Sequence, residues 1–148
     1  MELIRRFNDR AVASALESWT FLDLVDKRPL FTSPFGDIFM QGPTSYWLLD
    51  VVGGSLNEIC STGEDLTAIL NTSEGRDQYL MIGLAAEAVA DGLVPDADEI
   101  YDFRVPPVLG GGFEVANLQL VDFEVAVNLA GQIHAQVRNL PPGTSVVL

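Results

Sequence analysis

The chain offers few groups for covalent or acid–base chemistry, with one histidine, His134, and one cysteine, Cys60, among 148 residues. A general base needs a nucleophile or an orienting carboxylate within hydrogen-bond reach, and neither stands at a recognisable spacing from His134. Helical geometry puts His134 beside Ala130 and Val137 on an apolar side, where a core or boundary histidine is expected. Cys60 ends an apolar stretch and reads as a small packing residue. One Cys and one His without paired partners do not build a structural zinc site. Asp96-Ala97-Asp98-Glu99 opens like a calcium loop, but Tyr101 stands where its glycine belongs and Pro107 where its closing glutamate belongs.

The glycine clusters fare no better as phosphate cradles. Gly110-Gly111-Gly112 has no Lys-Ser/Thr after it and lacks dinucleotide-fold spacing. Gly53-Gly54-Ser55-Leu56 has no second glycine beyond the serine, so it is not a nucleophile elbow. No catalytic, cofactor or metal motif emerges, and the chain is expected to be a non-enzyme without cofactor. What stands out is a run of acids with no base among them: Glu87, Asp91, Asp96, Asp98, Glu99 and Asp102. Clustered like charge costs stability through repulsion, so the run reads either as a contact surface for a basic partner or as a solvated helix end and loop. A rival reading is an enzyme or small-ligand binder with a pocket near Tyr46, Trp47 and Asp37.

The elements that must position these residues follow from periodicity. Asp9 is placed to cap a first helix, with Val12, Ala15, Leu16, Trp19 and Leu22 on one face and Lys27-Arg28-Pro29 ending it. Three short apolar segments follow, Gly36–Met40, Tyr46–Val51 and Leu56–Cys60, separated by Gly-Pro and Gly-Gly turns. They predict an antiparallel meander, with both faces of the second strand covered. Thr62-Gly63-Glu64-Asp65 resembles a capping box and starts a short helix. A longer helix is expected over Glu74–Asp91, stopped by Gly92 and Pro95. Ile100–Val105 reads as a strand, 110–112 as a flexible loop, Val121–Arg138 as an amphipathic helix, and Ser145–Leu148 as an edge strand. Helices and strands fall in blocks, which predicts an α+β domain, a β-meander packed with several helices, spanning residues 1–148.

Bulk properties narrow the partners. Twenty-one acids against eight bases give a formal charge of −13. Direct nucleic-acid binding relies on Lys and Arg, so it is not expected. A basic protein partner is, although plain solubility explains the same charge. No uncharged apolar run is long enough for a membrane span, and the start Met1-Glu2-Leu3-Ile4-Arg5-Arg6 does not lead into a signal-peptide core. With a lone cysteine, these features predict a cytoplasmic protein.

Two blocks resemble a known family. Gly36-Asp37-Ile38-Phe39 with Tyr46-Trp47-Leu48-Leu49-Asp50 is similar to the strand pair of the type VI secretion immunity family, in its carboxy-terminal domain. Tyr101-Asp102-Phe103-Arg104-Val105-Pro106, Val108-Leu109-Gly110-Gly111, Phe113, Asn117-Leu118, Glu124, Gly131 and Leu140-Pro141-Pro142-Gly143 resemble its closing region. The resemblance implies a protein that binds and blocks a secreted bacterial toxin, in some members a DNase. It supplies no catalytic residues. A housekeeping interaction scaffold is the remaining alternative.

Overall fold

The structure is a computed structural model describing residues 2–141, 143 and 144. The chain first forms α1 (Asp9–Leu16), whose N-cap is Asn8 rather than Asp9: the Asn8 side-chain oxygen accepts from Ala11 N at 2.8 Å. The helix is shorter than its apolar spacing predicts. Beyond Leu16 the chain turns, and Trp19 is buried from that turn, its Nε1 donating to Val127 O at 2.9 Å.

Four strands follow: β1 (Arg28–Thr32), β2 (Ile38–Gln41), β3 (Tyr46–Asp50) and β4 (Ser55–Cys60). They pair antiparallel in chain order as a meander. The expected three-stranded sheet thus gains β1, in the segment read as a helix end. Pro29 sits there because β1 is an edge strand, where a missing N–H does little harm. Residues alternate along β2: Ile38 and Met40 enter one core cluster with Val12, Trp19, Leu49 and Phe123, while Phe39 enters another with Leu48, Leu66 and Leu80. The sheet is therefore covered on both faces, by α1 and the last helix on one side and by middle helices on the other.

Those middle helices are α2 (Gly63–Leu70), α3 (Ser73–Leu80) and α4 (Ile82–Ala90). Thr62 caps α2 by accepting from Asp65 N at 3.1 Å, and Thr72 caps α3 by accepting from Gly75 N at 3.0 Å. The single helix expected over 74–91 is broken at Met81, which is left-handed at φ 48°. The break redirects burial: Leu80 packs behind the meander, whereas Ala85 and Ala88 join a third cluster with Phe35, Tyr101, Phe103 and Leu118. The Asp77 carboxylate accepts from Gly83 N at 3.2 Å, tying the two helices across the break.

A second antiparallel pair joins β5 (Glu99–Phe103) to β6 (Leu118–Asp122), and α5 (Phe123–Val137) follows directly. Strand β6 occupies residues without a sequence expectation and takes Val121, opposite Ile100, from the start expected for the helix. Asp122 then caps α5 by accepting from Val125 N at 3.2 Å. Helix α5 seats closely on the turn after α1. Asn128 Nδ2 donates to Ser14 O at 3.0 Å and Ser18 Oγ donates to Asn128 O at 2.6 Å. A Cβ on Gly131 would collide with Ser18 Oγ, so only glycine fits there. The expected edge strand at Ser145–Leu148 lies outside the described residues.

Candidate functional site

The six acids singled out in the sequence occupy three settings. Glu87 lies in α4, Asp91 is that helix's C-cap, and both are exposed. Asp96 and Asp98 are exposed in the loop before β5, where the Asp96 carboxylate accepts from Asp98 N at 2.9 Å and Glu99 Oε1 accepts from Asp96 N at 3.0 Å. Arg5, itself buried, donates to the Asp96 carbonyl at 2.5 Å. Asp102 is different. It is half-buried on β5, with Oδ2 accepting from Gln119 Nε2 at 3.1 Å. Burial raises its pKa, against the opposing effect of hydrogen bonds from Gln119 and the Phe103 N–H. Asp96 borders a hollow with Glu2 and Arg5, Asp98 one with Arg6 and Asp122, and Asp102 a groove beside α5.

That groove has a volume of about 170 Å³. One wall is α5 with Ala126, Leu129 and Ile133, the floor holds Ile100 and Phe103, and the rim is Pro106 and Pro107. The rim loop is held by one buried side chain. Asn117 Nδ2 donates to Val105 O and to Gly112 O, each at 2.9 Å, and Asn117 Oδ1 accepts from Val105 N at 3.0 Å. Gly111 belongs to the same lock, because a Cβ there would collide with the Val105 carbonyl. The three glycines expected to give a flexible loop thus include one required by close packing.

Asp37 lies elsewhere, at the mouth of the meander. It is 4% exposed; Oδ2 accepts from Ser33 Oγ at 2.8 Å and Oδ1 from Val51 N at 2.9 Å. Burial, with the charge of Asp50 adding to it, raises its pKa from 3.8 to about 7; the bonds from Ser33, Val51 and Val52 oppose this. Asp37 and Asp50 line a hollow of about 290 Å³ with Gln78, Tyr79, Val108 and Phe113. Tyr46 and Trp47, expected beside Asp37, do not line it. Tyr46 packs in the cluster with Leu66, and Trp47 packs on the opposite face with Lys27 Nζ 4.6 Å over its ring. A carboxyl poised near neutrality can exchange a proton, but both Asp37 oxygens are already engaged in holding the Ser33 turn to Val51.

His134 is buried with Nε2 3.0 Å from the Val51 carbonyl, so Nε2 is the nitrogen that carries the proton in that bond. A Cβ on Gly54 would collide with His134 Nδ1, so that nitrogen faces packed backbone. The Cys60 thiol is held above its usual pKa by burial and by the Asp65 charge, which disfavours the reactive thiolate. Among the described residues no three His, Cys, Asp or Glu side chains gather as a metal site, and no helix is long and apolar enough to cross a membrane.

Residues 61–134, half of the chain, match the family model described as T6SS immunity protein Tdi1, C-terminal. The chain belongs to this family. The segment matching this immunity family begins just after β4 and carries α2 to α4, the β5–β6 pair, the Asn117-locked loop and most of α5. Most of the α5 groove thus comes from the family segment, with Phe35, Val51 and Val52 added from outside it. No curated protein matches the chain. Among solved structures, the crystal structure of Atu4351 from Agrobacterium tumefaciens shares the fold, with a TM-score of 0.54 and 20% identity over 83% of this chain. The alignment spans 62% of that chain's length.

The groove is not visible in sequence periodicity because its α5 wall runs along the edge of the inward face, through Ala126, Leu129, Ala130 and Ile133. Leu129 is 50% exposed there, while Phe123, Ala126 and Val127 are buried. The available signal is the pair Leu129 and Ile133 at four-residue spacing.

Proposed function

We propose that this protein is a cytoplasmic immunity protein that neutralises a cognate secreted toxin by direct, non-catalytic binding. The observation that carries this reading is the family match over residues 61–134. Its charge supports a basic partner, of which a nuclease is one kind: the formal charge is −13, and among the described residues a single ion pair, Glu2–Arg5, uses up any of the acids. Carboxylates without an ion-pair partner, the exposed Glu87, Asp91, Asp96 and Asp98 together with the half-buried Glu99 and Asp102, speed encounter with a basic surface and make it salt-dependent. In the test, tagged protein is recovered from its native host at moderate salt. A stoichiometric partner with toxin character is expected, and deleting the gene should make that toxin lethal. A deletion strain that grows normally while producing the toxin counts against immunity.

The Asp37 hollow favours a second reading, a small-ligand site with an acid–base carboxyl. Its lining contains Gln78 and Tyr79 but no histidine, lysine or cysteine to share the chemistry. Screening small metabolites for one that raises the melting temperature of wild type but not of a Phe113→Ala variant tests it; a set with no such compound counts against it.

A further inference from the structure

Eight large apolar side chains are exposed among the described residues, and they are unevenly placed. Val105, Val108 and Phe113 stand on the loop locked by Asn117, with Val108 and Phe113 turned to the Asp37 hollow, while Leu129 stands on the α5 wall of the groove. Phe113 is 60% exposed, its ring edge-on to Phe103 in the groove floor with centroids 5.3 Å apart. The groove volume of about 170 Å³ is comparable with the roughly 150 Å³ cavity that takes up a benzene-sized group. Its charged groups are Asp102 and Arg104, which form no ion pair with each other. Arg104 Nε donates to the Leu118 carbonyl, while Asp102 meets a neutral amide and a main-chain N–H. A half-buried carboxylate without a cation is stabilised when one is brought to it in a desolvated contact.

Resting on the immunity reading, we propose that this groove and its Pro106–Pro107 rim are the toxin-docking surface. The occupant is a toxin segment that seats one large apolar side chain between Leu129 and Pro106 and sets an arginine or lysine against Asp102. Anchors of this kind carry most of the affinity of an interface, whereas the exposed acids of α4 and the following loop set the speed of encounter.

The test uses the full chain and the toxin to which deletion of its gene sensitises the host, purified in an inactivated form, with kinetics followed at two salt concentrations. Leu129→Asp changes an exposed position and Ile133→Ala shortens a half-buried one on the same wall, and circular dichroism verifies that both fold. Each is expected to weaken binding at least tenfold, mainly through faster dissociation. Asp102→Asn, which keeps an oxygen for the Phe103 N–H, is expected to weaken it and reduce its salt dependence. Val25→Asp, at a 72% exposed apolar position near the start of β1, is the control and is expected to bind as wild type does. Wild-type binding with both groove variants unaffected, or with Val25→Asp equally damaged, overturns the groove while leaving immunity standing. Failure of wild type to bind the toxin overturns both.

Discussion

Replacing Asp50 by asparagine tests how the meander holds a buried carboxyl. Asp37 is enclosed and its pKa stands at about 7 against an ordinary 3.8, with burial the main cause and the Asp50 charge the next. Between those values the folded protein binds a proton that the unfolded chain has released. Stability is therefore favoured at low pH, falls as pH rises from about 4 to about 7, and is flat in this respect above it. A difference of roughly three units at 1.36 kcal/mol each makes the whole effect about 4 kcal/mol. The amide oxygen of the substituted side chain can still accept from Gly53 N, as Asp50 Oδ1 does at 2.7 Å, so the turn is preserved while the charge is lost. Asp50→Asn should lower the Asp37 titration by about one unit and stabilise the protein by about 1 kcal/mol at pH 7.5, with little change at pH 4. Urea unfolding followed by tryptophan fluorescence gives the stabilities, and carbon NMR of the Asp37 carboxyl gives the midpoint. An Asp37 midpoint below 5 in wild type, or one unmoved by Asp50→Asn, refutes the reasoning.

Further expectations concern the packing that positions the groove. Gly131→Ala forces a methyl against the Ser18 oxygen, which is fixed on Asn128 O; overpacking of about 1–3 kcal/mol should exceed the helix-propensity gain of up to about 1 kcal/mol, lowering the denaturation midpoint. Asn117→Ala removes three hydrogen bonds from the rim loop and should cost about 2–3 kcal/mol, with faster amide exchange at Val105 in hydrogen-exchange NMR. Gly54→Ala adds a methyl against His134 at a backbone φ of +78° and should destabilise by about 2 kcal/mol or more in the same unfolding assay.

Much of the fold was legible where local chemistry and tertiary packing agree. The Thr62 cap, the β2 to β4 meander and the inward face of α5 follow from cap residues, Gly-Pro and Gly-Gly turns, and four-residue apolar spacing. The failures lie where tertiary contacts override local signals. Met81 is a good helix former held left-handed so that Leu80 and Ala85 can enter different clusters. Val121 fits a helical pattern but pairs with Ile100 across a hairpin whose partners stand far apart in sequence. Asp102 was singled out as one charge in an acidic run; that it alone enters an apolar groove depends on α5, which sequence spacing does not place beside β5. Asp37 is legible too, but not its surroundings: Tyr46 packs further along in the cluster with Leu66, and Trp47 faces the opposite side of the sheet.

The central claim is neutralisation by binding, and an inhibition titration of the toxin tests it most directly. Activity of the toxin to which deletion of the gene sensitises the host is followed as the protein is added at concentrations well above the dissociation constant. The account predicts a linear loss that ends at a fixed stoichiometric ratio, with toxin activity recovered when the complex is dissociated and separated. Progressive inactivation by far less than one equivalent, leaving the toxin permanently altered, would show catalysis, and no loss of activity at any ratio would contradict immunity itself.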